Sequence, residues 1–120
     1  MELDNLNFQI KHVGVNCEDD KKAIESANFF EKFFKIPKNI GKDSIYTGAE
    51  IEFMKSRGLG YHGHIAVGTD NIYMAKEYLE SLGLEFFEDY IKYDEDGSMS
   101  VLYLKQEIAG FAVHLLQNKK

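Results

Sequence analysis

The amino-acid sequence predicts an α+β domain built from two βαβββ modules that form one U-shaped mixed sheet. Two stretches, KHVGVN at 11–16 and YHGHIAVG at 61–68, have the same alternating shape, and each precedes a segment of helical periodicity. Aligning His12 with His64 superposes the two halves at an offset of 52 residues, which indicates an internal duplication. The length of 120 residues allows one domain, 1–120, with module 1 at about 8–56 and module 2 at about 61–117.

The first helix is predicted in EDDKKAIESANFFEKFFKI, residues 18–36. Asp19 or Asp20 caps its start, and Pro37 requires an end near Ile36. Its apolar residues recur at three- and four-residue steps, which is typical of a helix with one buried face. This stripe comprises Ala23, Ala27, Phe30 and Phe34, widened by Ile24 and Phe33.

The second helix is predicted in TDNIYMAKEYLESLG, residues 69–83, with Thr69 or Asp70 as its cap and Gly83 at its end. Its stripe comprises Ile72, Ala75, Leu79 and Leu82. The remaining apolar runs alternate and predict strands at roughly 9–16, 44–48, 50–55, 62–68, 84–92, 98–105 and 110–117. DEDG at 94–97 is a turn signal, and SRGLGY at 56–61 resembles a linker.

Strand alternation gathers four polar side chains on the face opposite the branched apolar residues. Successive side chains of a strand point to opposite faces, so His12, Glu52, His64 and His114 share the face away from the helices. Three imidazoles and one carboxylate form a plausible ligand set for Zn²⁺, Fe²⁺, Ni²⁺, Co²⁺ or Mn²⁺. The sequence therefore predicts a divalent metal site between the modules.

Each of these residues also has an ordinary interpretation. A histidine on an inward strand face is usually a core residue with satisfied hydrogen bonds, and Glu52 could lie on an exposed sheet face. A buried carboxylate needs a partner, however, and symmetric placement in a repeat favours the metal. Strand alternation points His62 the same way as His64, at the mouth of the strand, where a proton-transfer role is open.

Composition excludes several classes of function. The net charge is −6, with no basic cluster, so we expect no nucleic-acid partner. No apolar run is long enough to span a membrane, and we expect a cytoplasmic protein. Cys17 is the single cysteine and is interpreted as a half-buried thiol. Arg57 is the single arginine, so forked guanidinium clamps are scarce and glutathione is a doubtful co-substrate.

These residues resemble the vicinal oxygen chelate superfamily, which contains glyoxalase I, bleomycin-resistance proteins and extradiol dioxygenases. The resemblance runs from about Phe8 to Gln117, through HVGVN, EIEFM, GHIAVGTDNIYMAKEYLESLGLEF and AGFAVHLLQ. More narrowly, GHIAVGT and IAGFAVHLLQ are similar to the small domain appended to bacterial aldolases for 2-keto-3-deoxy-6-phosphogluconate and 4-hydroxy-2-oxoglutarate. The resemblance implies paired βαβββ modules around a divalent metal, commonly in a homodimer. Its fourth ligand is normally glutamate, where this chain has His114.

The resemblance implies enediolate-type isomerase or lyase chemistry on a small hydroxy-keto or sugar-acid compound. The proton carrier would be Glu52, Glu50 or His62, in that order. One alternative is a non-catalytic binding module of the bleomycin-resistance type. Its ligand would contact Tyr46, Phe53, Met54, Tyr103 and Leu116. A second alternative is an accessory domain that partners a keto-acid aldolase.

Overall fold

The computed structural model describes residues 6–119 and contains one eight-stranded mixed sheet with two helices. Module 1 comprises β1 (Gln9–Asn16), α1 (Asp20–Phe34), β2 (Lys38–Ile40), β3 (Ser44–Thr47) and β4 (Ile51–Met54). Module 2 comprises β5 (Gly63–Thr69), α2 (Ile72–Ser81), β6 (Lys92–Tyr93), β7 (Met99–Ile108) and β8 (Phe111–Gln117). Each module is therefore βαβββ, as predicted.

The sheet order is β2-β3-β4-β1-β5-β8-β7-β6, which places the first strands of the two modules side by side at its centre. β1 and β5 pair antiparallel, and each also pairs in parallel with the last strand of its own module. This arrangement gives the modules an approximate two-fold relationship. All strands that carry the predicted metal ligands are consequently neighbours in the middle of the sheet.

Each helix covers its own apolar core on one side of the sheet. Under α1 the buried residues are Cys17, Ala23, Ala27, Ile45 and Phe53. Under α2 they are Leu6, Ile72, Ala75, Phe86, Met99, Leu102, Leu104 and Leu115. The helices take one face, so the ligand-bearing face stays uncovered. No helix among residues 6–119 is long and apolar enough to cross a bilayer.

The helix starts follow local side-chain capping. Asp19 caps α1 by accepting a hydrogen bond from the Lys22 backbone N–H at 2.8 Å. At α2 the prediction of Thr69 or Asp70 is wrong, because Asn71 caps it by accepting from the Met74 N–H at 3.1 Å.

Part of the predicted stripe of α1 is exposed. Ala23 and Ala27 are fully buried, whereas Phe33 and Phe34 are 61% and 59% exposed. Phe29 is also half exposed, and its ring contacts the rings of both. Aromatic residues at helical spacing near the end of α1 therefore remain outside the core.

Two strand predictions differ from the structure. The run 84–92 is not a continuous strand: Phe86 makes one isolated bridge to Leu104, and only Lys92–Tyr93 pairs with β7, with a register shift between these two residues. Glu88 and Asp89, both exposed, interrupt its alternation. β2 was missed because its three residues follow a proline and show no alternation.

Candidate metal centre

The uncovered face curls into a trough with a cavity of about 180 Å³ at its base. β3 and β7 are separated by four strands, so in a flat sheet they would lie about 24 Å apart. Tyr46 from β3 and Tyr103 from β7 nevertheless line the same cavity. The sheet must therefore curve strongly around its central strands.

Most of the residues that line the cavity form equivalent pairs, one from each module. Strand register pairs Tyr46 with Glu52 in module 1 and Tyr103 with His114 in module 2. The full lining is His12, Tyr46, Glu52, Met54, His64, Lys92, Val101, Tyr103, His114 and Leu116. Of these, only Lys92 and Val101 lack an equivalent residue from the other module in the lining.

Three of the four predicted ligands meet at a single point. His64 Nε2 lies 3.3 Å from His12 Nε2 and 3.1 Å from Glu52 Oε1. Glu52 Oε1 lies 3.3 Å from His12 Nε2. The three side chains are 8–15% exposed, so these atoms face the cavity rather than bulk water.

His114 completes a group of three imidazoles with His12 and His64, in which one ligand atom from each lies within 4.8 Å of the others. Its Nδ1 lies 3.0 Å from the carbonyl oxygen of Leu115. A proton on Nδ1, donated to that carbonyl, leaves the Nε2 lone pair available to a metal ion. Burial is the main reason that the pKa of His114 falls to about 4, which keeps the ring neutral.

Glu52 is held as a carboxylate. Burial raises its pKa, but hydrogen bonds from His12, His64 and Ser44 outweigh this effect and hold the pKa well below its ordinary value. Ser44 Oγ donates to Glu52 Oε2 at 2.7 Å. The serine thereby turns the other carboxylate oxygen, Oε1, toward the histidines.

These residues fit a divalent transition-metal ion. Zinc–nitrogen bonds of about 2.1 Å place neighbouring tetrahedral ligand atoms roughly 3.4 Å apart, close to the 3.1–3.3 Å among His12, His64 and Glu52. Gly14 gives a second indication, because a Cβ on it would overlap the His64 ring. The absence of a side chain at Gly14 thus leaves room for the His64 imidazole.

Glu50 and His62, the other two candidate proton carriers, lie outside the cavity lining. Glu50 is exposed and accepts a hydrogen bond from the Ala49 N–H at 3.0 Å. His62 packs against Tyr61 and Phe111 beside the turn between β7 and β8. Gly63 has a φ of 145°, so the alternation that would align His62 with His64 is broken between them.

Sequence reasoning missed some residues that support the site. Tyr46 and Tyr103 were considered only as pocket walls, yet their rings contact His12 and His114 with centroids 5.6 and 4.8 Å away. Ser44 was missed because its role depends on pairing across β3 and β4. Phe53, predicted to line the pocket, instead faces α1 and stacks on Phe30.

Comparison with known proteins identifies the fold. No protein-family model and no curated protein matches the chain. A hypothetical protein from Bacillus halodurans matches with a TM-score of 0.65 and 17% identity, covering 95% of this chain and 96% of that one. A methylmalonyl-CoA epimerase from Streptomyces coelicolor, in complex with 2-nitronate-propionyl-CoA, matches with a TM-score of 0.63 and 16% identity. The match covers 93% of this chain and 98% of the epimerase chain. The methylmalonyl-CoA epimerase from Mycobacterium tuberculosis matches with a TM-score of 0.64 and 13% identity, covering 100% of this chain and 93% of that one.

The chain has the glyoxalase/bleomycin-resistance fold of the epimerase neighbours. The predicted fold class is therefore confirmed. The neighbours also show that this fold accommodates small-molecule ligands, since an epimerase has been crystallised with methylmalonyl-CoA.

Proposed function

We propose that this protein is a divalent-metal-dependent enzyme that moves a proton beside a carbonyl group of a small hydroxy-keto or sugar-acid compound. The observation that carries the proposal is the convergence of His12, Glu52, His64 and His114 on one cavity. A bound ion would supply positive charge that stabilises an oxyanion as it develops. The epimerase names of the structural neighbours support isomerase-type chemistry.

Glu52 is the proposed proton carrier. Within residues 6–119 it is the only carboxylate that lines the cavity. Its lowered pKa keeps it in the basic form at neutral pH, and its second oxygen is already oriented by Ser44. A single base suits transfer of a proton between two neighbouring carbons on one face of the substrate. Isomerisation of a hydroxy-keto compound has this requirement.

Tyr46 and Tyr103 are proposed to bind the substrate oxygens. Burial, followed by the charge of Glu52, raises the pKa of Tyr46 to about 12 and raises that of Tyr103 in the same direction. Both phenols therefore remain protonated and act as hydrogen-bond donors from opposite sides of the trough. The donors come from rigid strands, which favours precise orientation.

The test combines metal analysis with proton exchange. Protein purified without a histidine tag should retain about one equivalent of a divalent ion per chain. With Co²⁺ or Zn²⁺ restored, it should exchange the carbon-bound protons next to the carbonyl of hydroxypyruvate or dihydroxyacetone in D₂O, followed by proton NMR. E52Q should abolish this exchange, whereas K21Q, on an exposed part of α1, should retain it.

Absence of both metal and exchange would refute the proposal and favour the non-catalytic binding module. Metal without exchange for any hydroxy-keto compound would refute the proposed chemistry alone. Co-purification with a keto-acid aldolase would support the accessory role instead.

A further inference from the structure

A second cavity, of about 590 Å³, continues outward from the metal cavity. It shares three lining residues with that cavity, Met54, Lys92 and Tyr103. The other residues that line it are Arg57, Gly58, Leu59, Tyr90 and Ile91. A molecule with one end at the histidines therefore has a direct path into this second cavity.

One wall of the second cavity is the linker between the modules, and hydrogen bonds hold this linker in place. Asn16 Nδ2 donates to the Gly60 carbonyl at 3.0 Å, while the Gly58 N–H donates to Asn16 Oδ1 at 3.2 Å. Arg57 Nη1 donates to the Tyr61 carbonyl at 2.6 Å, and its guanidinium lies 5.3 Å from the Tyr61 ring. The wall is thus formed before any ligand binds.

The second cavity is positively charged in a negatively charged protein. The chain has 20 acidic and 14 basic residues, yet no carboxylate from residues 6–119 lines this cavity. Within residues 6–119, neither Arg57 nor Lys92 has an acidic partner within 4.0 Å. Arg57 is the only arginine, and four of the five N–H groups of a guanidinium remain after its bond to Tyr61.

We propose that the second cavity binds the far end of the substrate, an anionic group on a short carbon chain. Arg57 and Lys92 neutralise this anion, and Met54, Leu59 and Ile91 contact the carbon chain. The inference rests on the proposed function, since it takes the near end of the substrate to lie at the metal centre. The substrate class is then a hydroxy- or oxo-acid with a second, terminal carboxylate or phosphate.

The test compares ligands that differ only at the far end. Binding to the Co²⁺-loaded protein is measured by isothermal titration calorimetry and by the cobalt absorption band. The carboxylate series is 2-oxobutyrate, 2-oxoglutarate and 2-oxoadipate, and the phosphate pair is glycerate and 3-phosphoglycerate. We expect at least one ligand with a terminal anion to bind about tenfold or more tightly than its partner without that anion.

R57Q and K92Q should each reduce that preference, the ratio of the two affinities within a series, to about twofold or less. R57K keeps the positive charge but removes the planar guanidinium, so it tests whether the geometry of the donor matters. K21Q is the matched control for the loss of one positive charge. A preference for the terminal anion within the carboxylate series identifies a terminal carboxylate, and a preference for 3-phosphoglycerate over glycerate identifies a phosphate.

Equal affinity throughout both sets, or a preference that survives R57Q and K92Q, would overturn the inference. Before any ligand is added, the cobalt absorption band reports whether the metal centre has formed. A normal band with no terminal-anion preference therefore refutes the second cavity alone, whereas loss of the band in the unmodified protein refutes the proposed function itself.

Discussion

Gly14 lies directly opposite His64 in the antiparallel pair of β1 and β5, and the imidazole occupies the space that a side chain on Gly14 would fill. The equivalent position in the other module is Ala66, which lies opposite His12. The ring planes of His12 and His64 are 87° apart, and their Nε2 atoms lie 3.3 Å from each other.

G14A should therefore weaken metal binding by about tenfold or more, because the new Cβ displaces the His64 ring from its position. Calorimetric titration with Co²⁺ measures the effect. G58A is the matched control, since a Cβ at Gly58 meets nothing within 4 Å. Unchanged cobalt affinity in G14A would show that the His64 ring does not need this space.

Removing individual ligands tests the metal centre directly. H64A and H114A should each reduce the retained metal well below one equivalent and lower Co²⁺ affinity by about 100-fold, since each removes a proposed ligand nitrogen. His62 is the one remaining histidine besides the triad, and it lies outside the cavity. H62A should consequently bind cobalt like the unmodified protein. If H62A lost the metal while H114A kept it, the assigned ligand set would be wrong.

S44A should weaken metal binding by about 10-fold without removing a ligand, because it frees Glu52 Oε2 and loosens the orientation of the carboxylate. The comparison variant is S81A, whose hydroxyl bonds only to the backbone at the end of α2. Co²⁺ titration and far-ultraviolet circular dichroism together separate weakened binding from misfolding. Equal affinity for S44A and S81A would contradict the role given to Ser44.

Metal-free protein should lose stability on mild acidification because of His114. Its pKa is lowered from 6.5 to about 4 in the folded protein, so the unfolded chain binds the proton more tightly. The stabilising contribution is complete above pH 6.5 and is lost as the pH falls toward 4. Between pH 7 and pH 5 the free energy of unfolding should fall by about 1–2 kcal/mol from this group.

Urea unfolding in EDTA at several pH values measures this dependence, and H114Q should remove about that much of it. The window stays above pH 5 because protonation of Glu52, whose pKa is also lowered, destabilises the fold only below its ordinary value of 4.5. An identical pH dependence in H114Q would assign the acid sensitivity to other groups.

The sequence predicted the fold class and the shared face of the four proposed ligands because each follows from periodicity within single segments, and the repeat follows from comparing two such segments. His12, Glu52, His64 and His114 all come from strands whose alternation is regular. The placement of His62 could not be predicted in this way, because it depends on the backbone conformation of Gly63. The homodimer and the cytoplasmic location remain predictions.

Features formed between segments could not be predicted. Ser44 reaches Glu52 only because β3 and β4 pair in a particular register, and Arg57 and Lys92 line one cavity although they are distant in the chain. For α1, periodicity within one segment predicts more burial than the structure shows. Its aromatic spacing predicts a buried face, yet Ala23, Ala27 and Phe30 make the core contacts while Phe33 and Phe34 are exposed.

Each module supplies two of the proposed metal donors, His12 with Glu52 and His64 with His114, on either side of the linker 55–62. A chain severed in this linker would yield fragments that each keep half of the coordination sphere. Neither fragment alone would hold the ion tightly, so a cobalt colour that returns on mixing would report reassociation of the fragments without any added label.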